Sequence, residues 1–256
     1  MAGIRDSHPI TGSAGCMNCR VRHLCLPAQL GQSETEQFSA IVRRRGPFKR
    51  GETIYRAGEA FHSLHAVQTG AVKSYGTDGN GEEQVTGFYL PGDLVGMDAI
   101  ESDVHPWSAA ALEHTWVCAV PYDRVTALST GTPQLRRALI RYMSRELVAD
   151  EVALMTVGRV HAEQRTLRLL NDLHDRLRER LGQIDEFYLP MTHKEMASYL
   201  GLTIESVSRA LSRLRAAGTI QTNGRTVRVT NQADTGLSGH AAGPATSATR
   251  AAEGSC

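Results

Sequence analysis

The sequence predicts an α+β chain: an N-terminal antiparallel, jelly-roll-like β-domain, a long helix, and a C-terminal winged helix-turn-helix. Three observations predict it. Between residues 38 and 128 short apolar runs alternate with glycines. Between residues 133 and 156 glycine is absent and apolar residues step by three and four. At 203–218 an amphipathic stretch follows a short helix and a tight turn, and an Asn-Gly hairpin comes after it.

The 256 residues suffice for two ordinary domains, and 41% hydrophobic content can build proper cores. Net charge is only +1, so binding to a polyanion must rest on a local patch. Arg209, Arg213, Arg215, Arg225 and Arg228 supply one near the C-terminus. The chain shows no signal peptide and no apolar run long enough to span a membrane, so the expectation is a cytoplasmic protein.

In chain order, residues 1–30 form a cysteine-rich loop. Cys16, Cys19 and Cys25 stand among Gly, Ser and Asn, a setting that can wrap a metal. They make one close pair and one single, so a fourth ligand must come from far away, and Cys118 in the alternating run Trp116-Val-Cys-Ala-Val120 is the candidate. Four thiolates can hold an iron–sulfur cluster and can equally hold zinc, with His23 able to replace one of them. Cys256 ends a polar tail and reads as a bystander.

Residues 31–130 form the β-domain. The runs 53–55, 64–67, 71–75, 84–89 and 116–120 fit strands, and Asp78-Gly-Asn-Gly81 fits an exposed hairpin tip. Residues 131–160 form the long helix. Ile140, Met143, Leu147, Leu154 and Val157 make a heptad seam of about three repeats, whose simplest partner is the same helix of a second subunit. Asp150 interrupts that seam. Facing its own copy it would repel, so it is expected to weaken the homodimer.

Residues 161–231 form the winged helix-turn-helix. A helix from 162 to about 181 carries Leu167, Leu170, Leu173 and Leu177 and forms its base. Thr192-His-Lys-Glu195 reads as a capping box opening a helix that ends at Leu200, and Gly201-Leu202 makes the turn. In the next helix Thr203 caps the start and Gly218 suits the stop. Ile204, Val207, Leu211 and Leu214 share a buried face, while Glu205, Ser208, Arg209 and Arg213 fall opposite. Glutamate, serine and arginine can pair with base edges in the major groove of double-stranded DNA. Two short strands about Asn223-Gly224 form the wing. Residues 232–256, rich in Ala, Gly, Ser and Thr, read as a disordered tail.

With these parts together the chain resembles the cyclic-AMP receptor/FNR superfamily of bacterial transcription regulators, and within it the oxygen-sensing fumarate and nitrate reduction branch. The residues carrying the resemblance are Cys16, Cys19, Cys25 and Cys118, the run Leu90-Pro-Gly-Asp-Leu-Val-Gly-Met-Asp-Ala-Ile100, and Glu205-Ser-Val-Ser-Arg209. It implies a cyclic-nucleotide-binding type of β-domain and a non-enzymatic regulator. It also implies that the four cysteines hold one 4Fe–4S cluster per subunit. In such regulators the intact cluster favours a DNA-binding homodimer, oxygen converts it to a 2Fe–2S form, and the dimer falls apart. The implied target is a palindrome like TTGAT-N4-ATCAA, read by Glu205, Ser208 and Arg209, at genes of anaerobic or microaerobic life. Contact with RNA polymerase is implied through patches that include the 78–83 hairpin.

Two departures from the cyclic-nucleotide branch exclude cyclic AMP from this expectation. Met97 stands where that branch has a ribose-holding glutamate, and Trp107-Ser108 where it has an Arg-Ser pair for the phosphate. Arg20 and Arg22 add positive charge between the cysteines. The rival readings are structural zinc or redox thiols on the same fold, a nitric oxide sensor, and an iron–sulfur electron carrier.

Overall fold

The computed structural model describes residues 8–9, 15–156 and 161–230. Val157, Cys256 and the expected tail lie outside them. The β-domain is built from two facing antiparallel sheets. Its strands are β1 (His8–Pro9), β2 (Arg43–Phe48), β3 (Thr53–Tyr55), β4 (Ser63–Thr69), β5 (Val72–Thr77), β6 (Glu83–Tyr89), β7 (Leu94–Val95), β8 (Ser108–Ala111) and β9 (Thr115–Pro121). One sheet runs β1-β2-β9-β4-β7 and the other β3-β8-β5-β6. Alternating side chains from both sheets, among them Ile54, Val67, Val72, Val95 and Val117, close the interior. Asp78–Gly81 is the exposed tip of the β5–β6 hairpin, where the Asp78 carboxylate accepts the Asn80 and Glu82 backbone N–H groups.

Two helices, α1 (Gln32–Ile41) and α2 (Tyr122–Gly131), flank the roll where only strands were expected. α1 buries only Thr35 and Phe38, so its apolar stripe is too thin to register as a period. Its start is nevertheless fixed by Glu34, whose carboxylate accepts the Gly31 backbone N–H at 2.9 Å. Strands β2 and β8 also escaped expectation. Arg43-Arg-Arg-Gly-Pro-Phe48 is basic, and Ser-Ala-Ala-Ala reads as a helix former. Tertiary context decides both: Arg44 stacks on the Trp116 ring at 3.8 Å, and the three alanines of β8 are buried between β3 and β5.

The long helix α3 spans Pro133–Thr156. Its N-terminal part packs on α1, α2 and the roll through Leu135, Ala138, Leu139 and Tyr142. Then come α4 (Ala162–Leu181), β10 (Phe187–Tyr188), α5 (His193–Leu200), α6 (Ile204–Ala216), β11 (Ile220–Asn223) and β12 (Thr226–Val229). Leu167, Leu170 and Leu173 of α4 pack with Met196, Val207, Leu211 and Leu214. The two wing strands pair Asn223 with Thr226, with β10 on the far side of β12.

The C-terminal unit is joined to the roll by polar contacts across the same chain. Arg50 donates to the Leu112 and Pro190 carbonyls and pairs with Glu195 at 2.9 Å. The Ser198 hydroxyl donates to the Glu83 carbonyl and accepts the Val85 N–H. Asp93 is gripped by Arg176 and Arg180 of α4. Those two guanidinium groups hold the Asp93 carboxyl below the usual range against the opposing effect of its burial.

Candidate functional site

The first candidate site is a cavity under the N-terminal loop. Cys16 opens a short 3-10 turn and its backbone N–H donates to the Ser39 hydroxyl of α1. Cys25 precedes a second 3-10 turn that begins Leu26-Pro27. Cys118 sits on β9, in register with Arg44 of β2 and Ala66 of β4. The fold brings all four predicted cysteines to the wall of one cavity, completed by Val21, Arg22, Pro27, Phe38, Val42, Ala66, Val67, Gln68 and Val120. All four are free thiols. His23 and Arg20 are exposed, and neither is among the lining residues.

Burial, reinforced by the neighbouring thiols, pushes the Cys118 thiol up to about 12 and the Cys25 thiol well above its ordinary value. Cys16 is raised for the same two reasons, although the Ser39 hydrogen bond opposes this. Burial therefore disfavours the thiolate at Cys16, Cys25 and Cys118 unless a cationic centre lies among them. Among the described residues, no group of three or more His, Cys, Asp or Glu is placed to hold a single metal ion. The four cysteines share one cavity wall.

The loop is held from both sides. The Tyr142 hydroxyl of α3 bonds the Leu24 carbonyl and the Gly92 carbonyl. Gly92 has φ +97°, and a Cβ there would stand 2.8 Å from Leu24 Cβ, so the cysteine loop and the 90–93 turn touch with no room for a side chain. Nothing in the sequence pattern pointed to Tyr142, Arg50 or Ser198 as joints.

The second candidate site is the outer face of α6. The Thr203 side chain caps the helix by accepting the Ser206 N–H at 3.2 Å. Glu205, Ser208, Arg209 and Arg213 are all exposed along one side. The Glu205 carboxyl lies below its ordinary range, because it accepts its own backbone N–H and the Thr203 hydroxyl and stands near Arg209. Ile204 departs from the expected buried face: it opens the helix and is 45% exposed, while Val207, Leu211 and Leu214 are buried. The basic patch divides. Arg215 bonds Ser212 and Thr222, Arg225 bonds the Pro190 carbonyl, and Arg228 lies 3.8 Å from Glu186. Arg209 and Arg213 instead line an open groove with His161, Glu163 and Gln164 at the start of α4.

The third is the far face of α3. Ile140, Met143 and Leu147 are 60%, 49% and 61% exposed, and Val148 continues that ridge. Asp150 is exposed further along the helix, and Leu154 belongs to α3. No helix among the described residues is long and apolar enough to cross a membrane.

Comparison with known proteins agrees with this division. Residues 45–130 match the cyclic nucleotide-binding domain family and residues 164–234 the Crp-like helix-turn-helix domain family. The chain is 39% identical to the transcriptional activator protein FnrA of Stutzerimonas stutzeri, over 84% of this chain and 88% of that one. It is 38% identical to the fumarate and nitrate reduction regulatory protein of Escherichia coli K12, over 88% and 90% respectively. Among solved structures, FixK2 from Bradyrhizobium japonicum superposes with a TM-score of 0.65 at 30% identity, covering 74% of this chain and 92% of that one. These relatives are regulators of transcription and not enzymes, and identity on this scale along nearly the whole of both chains means that the protein belongs to the FNR-type transcription regulators of the CRP family.

Proposed function

We propose that the protein is an oxygen-responsive regulator whose homodimer binds an FNR-type palindrome when Cys16, Cys19, Cys25 and Cys118 hold a 4Fe–4S cluster. One observation carries the reading: four cysteines from two distant parts of the chain line a single apolar cavity. When bound, such a cluster would supply a redox-active iron–sulfide core, held by those four thiolates, that oxygen can oxidise.

The chain's own residues do the rest. Phe38, Val42, Val67 and Val120 keep water from the sulfurs. Tyr142 ties the loop that carries Cys25 to α3, the helix whose Ile140, Met143 and Leu147 ridge would face a second copy. In that dimer Asp150 and its copy repel, which keeps association weak enough to depend on the loop. Leu154 and Val157 continue the heptad spacing in the sequence.

Two recognition helices then lie about 34 Å apart in successive major grooves. Glu205, Ser208 and Arg209 read base edges, and Arg213 with the start of α4 faces the phosphates. The exposed 78–82 tip is left for RNA polymerase, because Glu83 and Val85 are engaged by Ser198. Cyclic AMP has no part in this reading: Tyr55 stacks on His105 at 3.7 Å inside the roll, and the Trp107 ring covers Gly76.

The test is iron and sulfide analysis with visible spectra of protein purified without oxygen, followed by air. The expected result is about four irons per subunit and a brown absorbance that air bleaches. Dimer content and affinity for the palindrome then fall together. One zinc per subunit and equal DNA binding in air would overturn the sensor and leave the DNA-reading half standing. Bleaching by nitric oxide at levels where oxygen has no effect would replace the signal.

A further inference from the structure

Arg20, Arg22 and Arg44 flank the cysteines in sequence or in register, and the fold treats them differently. Arg20 is exposed. Arg44 lies in register with Cys118, but its guanidinium is stacked on Trp116. Arg22 alone of the three lines the cavity. Its Nη2 donates to the Leu30 carbonyl and the Thr35 hydroxyl, both at 3.1 Å, so the guanidinium is fixed at the head of α1. Its Nε–H, like that of Arg44, is buried with no hydrogen-bond partner among the described residues, but only Arg22 stands on the cavity wall. An orphaned charged donor is costly, and such groups in folded proteins ordinarily have a reason. The only other polar side chain on the wall besides the cysteines, Gln68, is neutral and also has a buried unpartnered atom, Oε1.

We infer that Arg22 is a positioning residue for the sulfur site, which directs a fixed positive charge and its Nε–H toward cysteine sulfur or cluster sulfide while its Nη2 anchors the loop. This rests on the cluster reading above. Four thiolates around the core leave net negative charge in an apolar wall. A cation and an N–H donor stabilise the more negative, reduced form, so they raise the reduction potential and make electron loss to oxygen harder.

The experiment uses the full chain, loaded with iron and sulfide without oxygen, as wild type, Arg22→Gln, Arg22→Lys and Thr35→Val. Midpoint potential and the rate of bleaching in air are the readouts. Arg22→Gln should lower the potential and bleach about tenfold faster, the low end of what loss of an outer partner costs a metal site. Thr35→Val removes part of the anchor but keeps the charge, so its potential should match wild type. If Thr35→Val reproduces Arg22→Gln in both readouts, Arg22 is only a loop anchor and the inference falls. An unchanged potential in Arg22→Gln overturns it as well. Should Arg22→Gln fail to load, Arg22→Lys decides: it keeps the positive charge but loses the fork that bonds Leu30 and Thr35, so loading with a potential near wild type supports the role of the charge, whereas failure to load makes Arg22 an anchor only and overturns the inference. Wild type that takes up zinc or no metal sinks the cluster reading itself and takes this role with it, an outcome separate from the others because it appears before any variant is compared.

Discussion

The winged helix and the cysteine cavity are built in opposite ways. In the C-terminal unit each feature is local: Thr192 and Glu195 cap one another across three residues, Gly201 turns the chain, and Thr203 starts the next helix. The cavity is non-local. It needs a loop at 16–25, a helix at 32–41 and a strand at 115–121, which sequence separates and topology brings together. A local device can lose one part and keep its shape, whereas a non-local one fails as a whole.

The largest expected effect tests that contrast. Cys118→Ala removes the one distant thiolate, and iron per subunit should fall from about four to near background. Far-ultraviolet circular dichroism should change little, because the C-terminal helices do not depend on the cavity. Retention of full iron would mean that Cys118 is not a ligand and that the distant strand is dispensable.

Next comes the joint between the two regions. Asp93→Asn leaves buried Arg180 with no carboxylate and Arg176 with Asp172 alone, and should cost about 3–5 kcal/mol in chemical denaturation. The Asp93 carboxyl is depressed in the folded state. Its contribution is therefore present above the unfolded value near pH 4, and it is lost as pH falls through the lower folded value. The acid limb of the wild-type stability curve should be flatter in Asp93→Asn. An identical acid limb in both proteins would place the acid sensitivity elsewhere.

Arg209→Ala should cost about 1–3 kcal/mol on the palindrome and blunt discrimination at one base pair per half-site. Equal loss on every sequence, read by binding titrations on mismatched sites, would make Arg209 a phosphate contact. Asp150→Ala should tighten the metal-free dimer about tenfold in sedimentation, or about 1.4 kcal/mol. An unchanged monomer–dimer equilibrium would move Asp150 off the seam. Smallest is Thr203→Ala, about 1 kcal/mol in thermal unfolding from the lost cap. A much larger loss would show that the winged helix is less local than its caps imply.

How much was legible in the sequence follows the same division. α3, α4, the capping box and the wing could be read because their signals are periodic or lie within a few residues. The strand runs at 53–55, 64–67 and 116–120 were legible as glycine-bounded alternation. β2 and β8 were not, since three arginines and three alanines become strand only through the neighbours they meet. Ile204 shows the limit of periodicity: the spacing puts it on the buried stripe, but the helix begins there and no core reaches it. The four cysteines were named from spacing and resemblance, but their common cavity, the selection of Arg22 over Arg20 and the hold of Tyr142 depend on the third dimension.

A tyrosine hydroxyl carries one proton, and Tyr142 faces two carbonyls. Leu24 and Gly92 therefore compete for a single donor, and whichever loses is left with an acceptor only partly satisfied. If the cysteine loop departs, the proton passes wholly to Gly92, beside the aspartate that grips α4. The loop is thus fastened by a shared bond whose release leaves no donor stranded, so its detachment costs less than the count of contacts suggests.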